Sequence, residues 1–231
     1  MSPELECAID AVYAAFAAPK PRVIEGCPCC SDKRNTDILL SKPLRELTGE
    51  DLWPYVSGVF LTIGDMRDYR YLLPRIFEIA IVDPGSCPNI EIVLGKLKLA
   101  TWRSWSAGER TSIETLLDAW FDAVLAQAEQ TAQAVAEGDV EASYTFEASR
   151  HLDELICGFS QAGMDLTPFL DRLRAPRYAG VVEDWRALNT CGKTGLLKLS
   201  NPFWSDLAQV WSENPQAPGP VLDFLETTSA R

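Results

Sequence analysis

The strongest chemical signal in the chain is Gly26-Cys27-Pro28-Cys29-Cys30, which places three thiols within four positions. Cys27 and Cys30 have the C-x2-C spacing that lets two thiolates hold one tetrahedral zinc, with Cys29 an alternative first ligand. A closed structural site needs two more ligands. No second C-x2-C pair exists, so Cys87, Cys157, Cys191 or His151 would have to converge from far along the chain. Read as Cys-Pro-x-Cys, the same residues mimic a redox motif whose leading thiol is activated at a helix N-terminus. The context argues against this, because Ser31-Asp32-Lys33-Arg34-Asn35 offers no amphipathic helix and no βαβ pattern surrounds it. A proline-tightened loop with its thiols tucked under helices stays open beside the zinc reading.

His151 is the single histidine, so any Ser-His-Asp or Cys-His mechanism must use it. Glu147 and Glu154, at i−4 and i+3, share its helical face and would orient the imidazole. A carboxylate-bridged di-metal bundle needs a second Glu-x-x-His set, which the chain lacks. The simpler reading is a surface histidine in a helical ion pair. Cys191-Gly192-Lys193-Thr194 resembles the end of a phosphate-binding loop, but the required earlier glycine is Ala187 and no strand precedes it. The seven tryptophans read as core or rim packing.

Charge is the other distinctive feature. The chain carries 33 acidic and 21 basic side chains, net −12, which repels polyanions and steers cations and basic proteins toward it. No basic patch exists to neutralise phosphates, so nucleic acid is not expected as a partner. Positions 109 to 154 hold 11 acidic and 2 basic groups, net −9, so the acidity is local. Within that segment Glu114, Asp118, Asp122 and Glu129 centre roughly 135° from the Ile113, Leu117, Trp120, Val124 stripe at about 100° per residue. They form a solvent-facing acidic stripe. Like charges at i,i+4 cost roughly 0.2–0.5 kcal/mol each, and no lysine on this helix offsets them. Such a face is either simply solvated or relieved by a basic partner.

Helical periodicity sets the framework for these residues. Ser2 caps and Pro3 opens a helix with the stripe Leu5, Ile9, Val12 and Phe16, ending near Pro19. Lys20 to Lys42 is irregular and contains the cysteines. Thr48 and Asp51 stand in capping-box spacing before Leu52, Tyr55, Val56, Val59 and Phe60. A helix follows Asp65, with Pro74 expected to kink it or mark a boundary. After the Asp83 to Pro88 turn comes another helix through Ile90, Val93, Leu94 and Leu97. Ser106 and Glu109 box the start of a long helix along Ile113, Leu117, Trp120, Val124, Ala128, Thr131 and Val135, broken at Glu137-Gly138-Asp139. Tyr144 to Leu155 returns antiparallel, and shorter helices are expected over 166–173, 181–188 and 202–211.

At 231 residues, 47% hydrophobic and 23% charged, the chain has the composition of a globular protein with a real core. The longest uncharged apolar stretch, Leu52 to Gly64, is 13 residues and holds Pro54 and Gly58, well short of the roughly 20 that cross a bilayer. No membrane span is expected. The acidic opening Met-Ser-Pro-Glu-Leu-Glu-Cys lacks the basic and apolar regions of a secretory signal, which implies a cytoplasmic chain. The odd count of seven cysteines then points to thiols or metal ligands rather than a disulfide framework.

Gly26 to Cys30, followed by Lys42-Pro43-Leu44-Arg45-Glu46-Leu47-Thr48 and Asp51-Leu52, resembles a group of uncharacterised bacterial proteins that open with a helix ending in Tyr-x-x-Phe, here Tyr13 and Phe16. The likeness covers about the first third of the chain and implies a bacterial, cytoplasmic, helical protein without assigning an activity. Many members of that group carry a histidine soon after the cysteines, and this chain has none there.

The expected fold is mainly α, an irregular multi-helix bundle or stack of short helical hairpins. It is read as one domain over 1–231, with an N-terminal helix (1–19), an irregular cysteine-containing segment (20–47), a helical body (48–174) and a Pro/Gly-rich part of short helices and loops (175–231). The expected function is non-enzymatic: an acidic helical protein that binds a basic protein partner, of immunity or inhibitor type, through Glu114, Asp118, Asp122 and Glu129. The alternative is a structural zinc or thiol site built on Cys27, Cys29 and Cys30, catalytic only if a coordination position stays open.

Overall fold

The computed structural model describes residues 1–27, 36–86, 88–138, 143–190 and 202–213. These residues are mainly helical, and their β-pairing is limited to isolated bridges of Ile63 with Gly26 and with Val59. Contacts group the chain into two compact units, Met1–Trp120 with Gln161–Met164, and Phe121–Ser160 with Asp165–Arg231.

In the first unit, α1 (Pro3–Ala15) starts where Ser2 Oγ accepts from the Leu5 N–H, and it buries Leu5, Ala8, Ile9 and Val12. Among its described residues, the segment expected to be irregular includes a short helix, α2 (Asp37–Ser41). α3 (Gly49–Gly58) begins at a complete capping box, in which Thr48 accepts from the Asp51 N–H and Asp51 accepts from the Thr48 N–H. α4 (Met66–Val82) begins at a second complete box between Asp65 and Asp68. Asn89 caps α5 (Ile90–Leu99).

The central element is α4, which contacts α1, α3, α5 and the 3-10 turn Leu44–Glu46. Tyr69, Leu72, Leu73, Ile76, Phe77 and Ala80 are all buried, so its apolar surface extends well beyond one stripe. Pro74 lies within this helix, and the helix continues through it to Val82. An internal proline removes one backbone bond and costs ~3 kcal/mol or more, a penalty that burial of the surrounding side chains offsets. Polar tethers supplement the packing. Arg75 Nε donates to the Leu47 carbonyl at 2.8 Å, and its guanidinium pairs with Glu78 at 2.7 Å. The Tyr13 hydroxyl donates to Glu78 at 2.6 Å, joining α1 to α4. Buried Lys96 of α5 donates to the carbonyls of Ser57 and Val59, where α3 ends.

α6 (Ala107–Glu137) begins at the third capping box, with Glu109 accepting from the Ser106 N–H at 3.0 Å and Ser106 Oγ from the Glu109 N–H at 3.3 Å. It ends at Gly138, whose φ of +79° is left-handed. Residues to Trp120 belong to the first unit and those from Phe121 to the second.

The next helix, α7 (Ser143–Gln161), belongs to the second unit up to Ser160. Phe121 of α6 and Phe159 of α7 stand 6.2 Å apart between ring centroids, which joins the two helices. Phe169 of α8 (Thr167–Arg172) closes the cluster at 5.1 Å from Phe121 and 4.5 Å from Phe159. α9 (Ala179–Thr190) contributes Trp185, whose Nε1–H donates to the buried Asp153 carboxylate at 2.8 Å. α10 (Pro202–Ser212) packs Phe203 and Trp204 against Trp185, and Trp211 Nε1–H donates to the Arg174 carbonyl at 2.9 Å. The Trp185 and Trp211 indoles therefore add apolar area and each use their one donor on a fixed acceptor.

Phe159→Ala opens a cavity in the three-ring cluster of the second unit. The expected cost is about 3–5 kcal/mol, read as a fall in the urea midpoint with an unchanged slope.

Candidate functional site

On the exposed face of α6, Glu114, Asp118 and Asp122 point to solvent and Glu129 is half-buried. The buried face is Ile113, Leu116, Leu117, Trp120, Phe121, Leu125 and Ala128, while Val124, Thr131 and Val135 are only half-buried. The helix itself supplies no lysine, and neighbouring segments provide arginines instead. In the first unit Arg103 pairs with Glu114 at 2.9 Å while its guanidinium lies 4.2 Å from the Trp102 ring centroid. In the second, Arg172 pairs with Asp122 at 2.7 Å and lies 5.5 and 5.4 Å from the rings of Phe121 and Phe169. An aromatic face positions each arginine, which then reaches a carboxylate. Exposed pairs of this kind are worth roughly 0–1 kcal/mol, so an incoming cation can displace them.

The Cys27 segment docks on the turn between α3 and α4. The Cys27 N–H donates to the Thr62 carbonyl at 2.8 Å, and the Gly64 N–H donates to the Glu25 carbonyl at 2.6 Å. Glu25, Cys27, Thr62 and Asp65 line an open cavity of about 610 Å³ there, with Phe60 on its wall in a left-handed backbone conformation, φ +66°. Cys27 is exposed, as is Cys7, whereas Cys157 is buried. Cys29, Cys30, Cys87 and Cys191 lie outside the described residues, as does the Gly192 to Thr194 segment. Among the described residues no three His, Cys, Asp or Glu side chains stand close enough to hold a metal ion.

Below this cavity lies a polar cluster that sequence reading missed. Asp68 is 2% exposed; its Oδ2 accepts from the Asp65 N–H, while its Oδ1 has no hydrogen-bond partner among the described residues. The hydroxyls of Tyr55 and Tyr69 are likewise buried and unpartnered among the described residues. Burial pushes both phenols up, and the Asp68 charge adds to the shift at Tyr55. The spacing Asp65-x-x-Asp68 is itself a capping-box signal that could have located this acid.

His151 is half-buried on α7, and Glu154, expected to orient it, pairs with Arg150 at 2.7 Å. The arginine one turn before Glu154 takes the carboxylate in an i,i+4 pair.

Asp68 carries a pH signature. Burial, and then the Asp65 charge, holds its carboxyl above the ordinary value of 3.8. Above that value the folded chain retains a proton that the unfolded chain releases, so the stability contribution is complete below 3.8 and is lost as pH rises through the raised value. Asp68→Asn keeps an acceptor for the Asp65 N–H and removes the ionisation. The variant is expected to melt higher than the parent at pH 7, with the gap closing below pH 3.8; thermal scans across pH read it directly.

No protein-family model, curated protein or solved structure matches this chain.

Proposed function

We propose that this chain is a non-enzymatic acidic helical protein that binds a basic protein partner, in the manner of an immunity protein or inhibitor, with Glu114, Asp118, Asp122 and Glu129 of α6 meeting the partner's cations. The observation that carries this reading is the concentration of net charge −9 between positions 109 and 154, with Glu114, Asp118 and Asp122 exposed on one helix. A field of one sign accelerates encounter with an oppositely charged protein by ~10- to 1,000-fold and selects among partners. The Arg103 and Arg172 pairs are of small worth, which leaves their carboxylates exchangeable.

The triple variant Glu114→Gln, Asp118→Asn, Asp122→Asn tests it. A basic protein recovered by the parent chain from native lysate is expected to associate about tenfold or more slowly with the variant at low salt, while both melt alike. An unchanged association rate overturns this surface.

A second reading keeps Cys27, with Cys29 and Cys30, as a zinc or thiol site. It is supported by the exposure of Cys27 at the edge of a cavity that also holds Glu25 and Asp65. Elemental analysis of protein purified without a histidine tag is expected to find about one zinc per chain, lost on Cys27→Ser with Cys30→Ser. Absence of zinc from the parent protein sinks the metal form of this reading.

A further inference from the structure

The first unit carries a second acidic surface, of different composition from α6, and its geometry begins at Gly49. A Cβ on Gly49 would lie 2.0 Å from Ser86 Oγ and 2.5 Å from the Ser86 carbonyl oxygen. Only glycine lets the first turn of α3 press against the Asp83–Ser86 turn that follows α4. That approach places Glu50, on the first turn of α3, and Asp83, the residue closing α4, on the wall of one open cavity of about 530 Å³. Trp53 and Pro54, one turn along α3, form its apolar side.

Trp53 is 47% exposed, whereas the other six tryptophans of the chain are buried. Among the described residues neither the Glu50 nor the Asp83 carboxylate makes an ion pair or hydrogen bond, in contrast to Asp10, Asp51, Glu78, Glu109, Glu114 and Asp122, each of which has a basic partner. Two unpaired carboxylates alone would be an ordinary solvated pair. An exposed indole in the same cavity adds a flat, electron-rich face, and the combination suits a planar cation.

We infer that this cavity seats an arginine side chain of the basic partner, with the guanidinium stacked on Trp53 and its N–H groups directed to Glu50 and Asp83. The inference rests on the partner being a basic protein and names a second contact for it. A guanidinium stacks on an aromatic plane while its forked donors reach carboxylates, and an inorganic cation gains nothing from the indole. Exposed Trp beside charge-complementary groups is also the composition of a binding hot spot. The chain already makes this arrangement internally, where Arg103 lies over Trp102 and pairs with Glu114.

The test uses the full chain labelled with 5-fluorotryptophan, its Trp53 fluorine resonance assigned from Trp53→Phe. An acetylated Gly-Arg-Gly amide is the probe, and the same peptide with citrulline is its neutral isostere. The expected result is a saturable shift of the Trp53 resonance with the arginine peptide. Apparent affinity should fall at least tenfold for citrulline and for Glu50→Gln with Asp83→Asn, the other six resonances showing that the variant is folded. No shift, an equal shift with citrulline, or a shift retained in the double variant overturns the site. Capture of a basic partner that depends on α6 with no Trp53 response overturns this inference and leaves the α6 reading standing. A Trp53 response in a chain whose partner association ignores the α6 substitutions supports the arginine site and overturns the α6 surface.

Discussion

The first unit depends on the burial of α4. Apolar residues occupy so much of its circumference that no single neighbour can cover them, and α1, α3, α5 and the Leu44–Glu46 turn each take a sector. Burial on this scale, at about 25 cal/mol per Å² of apolar surface, makes the helix tolerant of Pro74. It also raises the cost of any polar group left unsatisfied along it. Arg75 and Glu78 meet that constraint by joining each other, the Leu47 carbonyl and the Tyr13 hydroxyl. Asp68, Tyr55 and Tyr69 do not meet it fully, and the shifted ionisation of all three is the consequence.

The same wrapping decides what becomes of surface charge. Arginine recurs as a bridge between an aromatic ring and a carboxylate: Arg45 between Tyr13 and Asp10, Arg103 between Trp102 and Glu114, Arg172 between Phe121 or Phe169 and Asp122. Ring contact holds the long side chain, lowering the entropy lost when the ion pair forms. Among the described residues Glu50 and Asp83 flank an aromatic ring without such an arginine, and the proposed external guanidinium would be the third member.

Local signals were the most legible. The boxes at Thr48/Asp51 and Ser106/Glu109 fix helix starts because their hydrogen bonds span three residues, and the structure shows both halves of each. The Ile113 to Ala128 stripe identifies α6 as one long helix. Its later positions, Val124, Thr131 and Val135, are less buried than a straight stripe implies, because neighbours cover only part of the helix at that level. The short helix Asp37–Ser41 escaped detection, since five residues carry too little periodicity to stand out.

Thus the sequence by itself determined the helical class, the main helix starts and the concentration of acid between 109 and 154, all of which follow from hydrogen bonds and spacings a few residues long. Tertiary structure decided which side chains meet. It buries six tryptophans and leaves Trp53 exposed, and gives the acidic helix arginines from positions 103 and 172. It also brings Glu50 and Asp83, 33 positions apart, to one cavity through a contact only Gly49 permits. Such pairings depend on how whole helices pack, and no local spacing encodes them.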